Sequence, residues 1–167
     1  MINEITLKGA IVSLVSEACP EMNIYGQGQV EGWIEPALFI EMALTNQTDE
    51  TINIVSKTYS VMIQHRDESA SEADKLEIFQ RVQAALKCID GRNRRRKMVI
   101  KVTDEDGNDR FIHVSNLLYV WTGDSLDILQ MQFNLNFYDS ETIVDPEPMM
   151  ENIEESMELK TEVEMEE

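Results

Sequence analysis

Two histidines, two cysteines and four prolines are all that this 167-residue chain holds of three residue types that carry much of small-protein chemistry. Cys19 and Cys88 are far apart, each near the end of an expected helix. They read as small buried apolar residues of a reducing compartment, not as a disulfide framework. His65 and His113 fall on separate expected strands without a patterned Cys, Asp or Glu companion, so each reads as structural or exposed, not as a ligand or base. The sequence has no Gly-rich phosphate loop, no Gly-x-Ser-x-Gly and no Cys-x-x-Cys. An enzyme is therefore not expected, nor is a cofactor. The segment "TDEDGND" offers Asp104, Asp106 and Asn108, but placing Gly107 sixth in a calcium loop puts Val102 where the first carboxylate must stand. It reads as a charged hairpin turn. Long apolar runs are missing too: "MINEITLKGAIVSLV" carries Glu4 and Lys8 and no basic leader. That predicts neither a signal peptide nor a membrane span, which needs about 20 apolar residues. The expectation is a soluble protein made in the cytoplasm, with no membrane partner.

What is abundant is negative charge. The formal net charge is -18. Residues 139–167 hold twelve acids and one lysine, a net of -11, against thirteen bases and twenty acids, a net of -7, in residues 1–138. Such a surface keeps a chain soluble and repels nucleic acid and anionic membrane. Against this background "GRNRRRK" is anomalous: Arg92, Arg94, Arg95, Arg96 and Lys97 are five of the fourteen basic residues. Three readings stand open: a solvated loop, an electrostatic contact with carboxylates of a neighbouring copy or partner ring, or a contact with phosphates.

With 43% apolar residues the chain can build a core, and its patterning predicts the elements. Leu7, Ile11, Leu14, Val15 and Ala18 recur at helical spacing, predicting a helix over 2–18 stopped by Pro20. Residues 37–44 and 57–65 alternate, with Leu38, Ile40, Met42 and Leu44 on one face and Tyr59, Val61 and Ile63 on the core side. The polar "NQTDET" between them predicts the connection of an antiparallel hairpin. A second helix begins at a capping box of Ser69 and Glu72, carries the stripe Leu76, Phe79, Val82, Leu86 and Ile89, and ends at Gly91, where the basic run starts. Strands follow at 98–103, 110–114, 117–121 and 126–138. In the last, Leu129, Met131, Phe133, Leu135 and Phe137 alternate with Gln130, Gln132, Asn134 and Asn136, giving one core face and one uncharged amide face. The amide face fits solvent or a subunit contact. Trp33 and Trp121 read as core residues. The fold class is α+β: a mostly antiparallel β-sheet with two α-helices packed on one face, plus an extended acidic C-terminal arm. The division is 1–138 for the domain and 139–167 for the arm.

The arm's composition predicts disorder. Yet Leu159, Thr161, Val163 and Met165 alternate with polar residues, a strand pattern with no partner strand nearby in sequence. An arm that adds as an edge strand to another chain fits this, as an alternative to a solvated tail.

The order of elements resembles the tail terminator proteins of long-tailed phages and of phage-tail-like particles from Gram-positive bacteria. The resemblance is carried by "IYGQGQVEGWIEPALFIEMA" (Ile24 to Ala43) after the first helix, with Gly32-Trp33-Ile34-Glu35-Pro36 leading into Phe39 and Ile40. The second helix, Asp90-Gly91 and the ending "DPEPMMENIEE" add to it, over residues 1–155 by pattern. The arginine cluster is denser, and the tail beyond Glu155 longer, than the family pattern. The resemblance implies a structural virion protein: a homohexameric ring that caps the tail tube protein, stops its polymerisation and meets a neck or head-completion protein. A sheath protein joins the partners if the tail contracts, and DNA passes through the lumen without sequence-specific binding. It also implies that residues 126–138 line or approach the lumen. Another neck or head-tail completion protein is one alternative, and an acidic DNA mimic that occupies a host DNA-binding protein is the alternative from a different class.

Overall fold

A computed structural model describes residues 2–26, 31–89, 96–104, 107–124 and 127–140, without the side chains of residues 88, 89, 96 and 97. Helix α1 (Glu4–Ala18) opens at Asn3, whose side chain accepts from the Thr6 amide at 2.7 Å. It buries Leu7, Ile11 and Val15. The predicted start at residue 2 moves to Glu4 because that cap fixes the first turn. Strands β1 (Asn23–Gly26), β2 (Ala37–Thr51) and β3 (Ile54–Arg66) follow. The hairpin is longer than its alternation predicts. Residues 46–51, assigned to the connection, continue β2 against β3 as far as Thr51 paired with Ile54. They are polar because both of their faces meet solvent, so polarity there marks exposure and not a turn.

Helix α2 (Glu72–Ala85) begins two residues later than the expected capping box. The Ser71 hydroxyl accepts from the Asp74 amide at 3.3 Å and Asp74 accepts from the Ser71 amide at 3.0 Å. Ser69 is instead held by Asp67, which accepts from both its amide and its hydroxyl. The helix stops at Ala85, well before Gly91, and the chain passes straight into β4 (Lys87–Ile89). Ile89 therefore leaves the helical stripe. Phe79, Val82 and Leu86 are buried as expected, with Ile78 added. The expected glycine cap lies outside the described residues.

Strands β5 (Arg96–Thr103), β6 (Asp109–Thr122) and β7 (Ile128–Ser140) complete the fold. The expected pair 110–114 and 117–121 is a single strand, β6, interrupted by a bulge between Ser115 and Leu118. Asn116 sits there at φ 52°, a conformation asparagine tolerates better than most residues. The extra residue switches parity: Ile112 and Val114 face the core before it, and Tyr119 and Trp121 face that side after it. The seven strands form one sheet in the order β1-β2-β3-β7-β6-β5-β4, antiparallel except for β1 with β2. The last strand is thus central. Both helices cover one face, where Leu38, Ile40, Val61, Ile63, Ile100, Ile112, Leu129, Met131, Phe133 and Leu135 meet Leu7, Ile11, Phe79 and Val82. Cys19, at the end of α1, is a free buried thiol in this core, and burial pushes its pKa up.

Candidate assembly surface

The face of the sheet away from the helices is built by β3 and β7. Between Ser56 and Gln64 their outward positions are Ser56, Thr58, Ser60, Met62 and Gln64 on one strand and Gln130, Gln132, Asn134 and Asn136 on the other, nine side chains without a charge, bordered by Arg66 at the end of β3 and by Glu41 of β2 opposite Met62. The expected amide row is therefore a real row, and it is tied sideways. Gln64 Nε2 donates to Gln130 Oε1 at 3.2 Å. The Met62 sulfur gathers amide donors from Gln130, Gln64 (3.9 Å) and Gln132 (3.8 Å). Towards the other end, Thr58 donates to Asn136 Oδ1 at 3.0 Å, and Asn136 Nδ2 donates to the Ser115 hydroxyl of β6 at 2.6 Å. Gln130 is buried by these neighbours, whereas Gln132 and Asn134 are half-buried and Asn136 is exposed. Neutral bonds of this kind each contribute about 0.5–1.5 kcal/mol net. They also fix rotamers before anything docks, and no ion must be dehydrated when such a face is covered. Period-2 alternation locates the four amides from sequence. Met62, Thr58 and Ser115, which knit them to the flanking strands, carry no sequence signal of their own.

Beyond this row the open face becomes aromatic at its β1 end. Tyr25 stacks on Phe39 with centroids 5.4 Å apart, and Trp33 meets Phe39 edge-on at 5.7 Å. The Tyr25 hydroxyl accepts from the Ile34 amide, and Asn23 Nδ2 donates to the Ile34 and Pro36 carbonyls. Together they fold the Gly32–Pro36 segment back onto the sheet. Trp33 is thus half-buried on the open face and not in the helix-covered core, which corrects its assignment; Trp121 does pack against that core.

Two polar groups interrupt the core face, one at each end. Asp139 is buried and accepts from Lys57 Nζ at 3.3 Å, Arg110 at 3.1 Å and the Ile2 amide at 3.3 Å. Three donors around one carboxylate meet the requirement that a buried charge be paired. At the other end His65 is 2% exposed, and its Nδ1 has no hydrogen-bond partner among the described residues. Burial pulls its pKa below the ordinary imidazole value. It borders a 350 Å³ cleft whose lining includes Glu35, Asp67, Lys75 and Asp127, with Lys75 Nζ donating to the Asp127 carbonyl at 2.7 Å. His113, by contrast, is exposed on β6.

Of the basic run, Arg96 and Lys97 lie at the start of β5, and Arg92, Arg94 and Arg95 lie outside the described residues. So do Leu159, Thr161, Val163 and Met165 of the arm. Among the described residues the fold brings together the amide row. No curated protein matches the chain. Residues 6–149 match the sequence profile of a family described as phage tail terminator protein. That span contains α1 from its third residue onward, the whole of α2, every described strand and the Gly32–Pro36 segment, the elements on which the resemblance rests. On this helix-backed, mostly antiparallel sheet, the profile match across most of the length identifies the chain as a member of the phage tail terminator family, a structural component of the virion tail.

Proposed function

We propose that copies of this chain close into a ring, of six subunits, on the head-proximal end of the tail tube. The ring ends tube polymerisation and offers its other side to a neck or head-completion protein. Family membership supplies the tail tube as the partner class. The observation that carries the ring is the uncharged outward patch from Ser56 to Gln64 and from Gln130 to Asn136 on β3 and β7 in a chain of net charge -18. An acidic protein arranged around a DNA passage repels the phosphates unless the inward surface is neutral. The amide row supplies such a surface, so the face bearing Gln130, Gln132, Asn134 and Asn136 is turned to the channel or to the adjoining subunit beside it. The basic run from Arg92 to Lys97 then meets carboxylates of the next copy, which the acidic composition supplies in excess. A sheath protein is a further neighbour in a contractile tail. The work is done by docking geometry, with no bond made or broken.

Sedimentation equilibrium together with electron microscopy tests this. The expected result is a ring of six times the 19.2 kDa chain mass, and tails of uncontrolled length in particles made without the protein. A protein that stays monomeric in the presence of tube subunits, with tail length unaffected by its loss, overturns the proposal.

A further inference from the structure

Among the described residues, the sheet has an unfinished edge at β5. Strand β4 pairs with β5 only over Arg96–Met98, and the last bond on that side runs from the Val99 amide to the Leu86 carbonyl at 2.9 Å. There the preceding chain turns off into α2. Backbone direction alternates along an antiparallel strand, so Lys101 and Thr103 point their N–H and C=O groups the same way as Val99, away from β6. Beside them lies a groove of 740 Å³, walled on its far side by Thr6, Gly9, Ala10 and Ser13 of α1. Its floor is a strand edge and its wall is a row of small side chains that continues into Leu14 and Glu17, the form of a slot for one extended chain.

We propose that this slot receives residues 158–166 of a neighbouring copy as an added strand. The segment alternates in the required sense. Leu159, Thr161, Val163 and Met165 fall on one face and enter against α1, while Lys160, Glu162 and Glu164 fall on the other. That second face lies beside Lys101, whose ammonium already pairs with Asp109 at 2.8 Å on its other flank. A glutamate on the incoming strand gives Lys101 a second carboxylate.

The chain's length and where it leaves the sheet favour a neighbour over the same molecule. β7 ends at Ser140, at the same end of the sheet as Thr103, because Asp139 pairs with Arg110 and Thr103 stands opposite Asp109. Its own groove is three strand spacings away, about 14 Å. Residues 141–157 span up to about 55–60 Å when extended. They carry six acids and no base. Their reach exceeds the distance to their own groove about fourfold, enough for a groove on an adjoining copy. The inference rests on the ring reading only for the presence of a neighbour.

Hydrogen exchange at the Lys101 and Thr103 amides, with sedimentation of the same samples, is the test. Two full-length variants are needed. Gly9→Leu fills the groove from the α1 side, and a Cβ at Gly9 meets nothing within 4 Å, so the fold accepts it. Val163→Pro removes a donor and breaks the incoming strand. The two amides are expected to exchange at least about tenfold more slowly in the wild type than in either variant. Isotope-labelled Val163→Pro, co-refolded with unlabelled wild type, is expected to regain protection, because its groove is intact and receives the other copy's arm. Equal exchange in a wild type that sediments as an oligomer overturns the slot and leaves the ring standing. Protection that the co-refolded variant does not regain overturns delivery between copies. A wild type that sediments as a monomer overturns the ring and the neighbour together.

Discussion

The two faces of β7 carry opposite chemistries on one backbone. Towards the helices, Leu129, Met131, Phe133, Leu135 and Phe137 are buried without a polar atom, and the row ends in a carboxylate, Asp139, held by three donors. Away from them, Gln130, Gln132, Asn134 and Asn136 bond sideways to Met62, Gln64, Thr58 and Ser115 and leave the surface neutral. The first face makes the subunit; the second is what the subunit shows. Burial of apolar area and pairing of ions give the first its energy. The second is worth little to folding and matters for what can rest against it.

Adjacent residues on β7 separate the two roles. Phe133→Ala is expected to cost the fold about 3–5 kcal/mol, the range for deleting a buried phenyl, read from urea unfolding midpoints. Asp139→Ala strands Lys57 and Arg110 beside the core and leaves the Ile2 amide unpaired. A loss of about 3 kcal/mol is expected by the same measurement, because removing one partner leaves the other charges uncompensated. Tyr59 tests the core face by pH. Burial, with Glu4 beside its hydroxyl at 3.3 Å, pushes its pKa up from 10.0 to about 12. The folded state therefore favours the protonated phenol. Its contribution is fully present below pH 10 and is lost as pH rises through about 12, a fall of about 2–3 kcal/mol. Tyr59→Phe should remove that alkaline limb, and an unchanged pH profile in the variant would refute the assignment. Smallest is Asn134→Ala on the open face, expected to change folding stability by less than about 0.5 kcal/mol. If it costs as much as Phe133→Ala, the division of labour between the faces fails.

The core face was legible in the sequence because a period of two and a period of 3.6 each leave a plain trace. Phe133 and Val82 stand out by their spacing alone. Three misreadings have physical causes. The outer half of β2 is polar on both faces, so the stretch 46–51 looks like a turn although backbone pairing with β3 continues. The Asn116 bulge changes the parity of β6, so one strand reads as two. Ser69 and Glu72 have the spacing of a capping box, but Asp67 takes Ser69 and leaves the cap to Ser71 with Asp74. The lateral bonds of the amide face depend on register between distant strands, which local pattern does not encode. Asp139 was grouped with the acidic arm by composition, yet it sits inside β7 as an ion-pair centre. One clue was present: Lys57 occupies the same parity as Tyr59 and Val61, and a cation on a core face requires an anion opposite.

The position of β7 also governs when the molecule can exist. It lies between β3 and β6, and it is the last of the described strands to be made. While the chain is emerging from the ribosome, the β2–β3 hairpin and the β5–β6 hairpin are two separate halves, and each holds open the edge that β7 will occupy. Seventy-four residues separate Arg66 from Ser140. At about 5–20 residues per second, the first half waits about 4–15 s for its centre. During that time the inner edge of β3 is exposed to every other nascent copy on the same message, and the strand that closes it carries, on its outward side, the surface that the finished subunit displays.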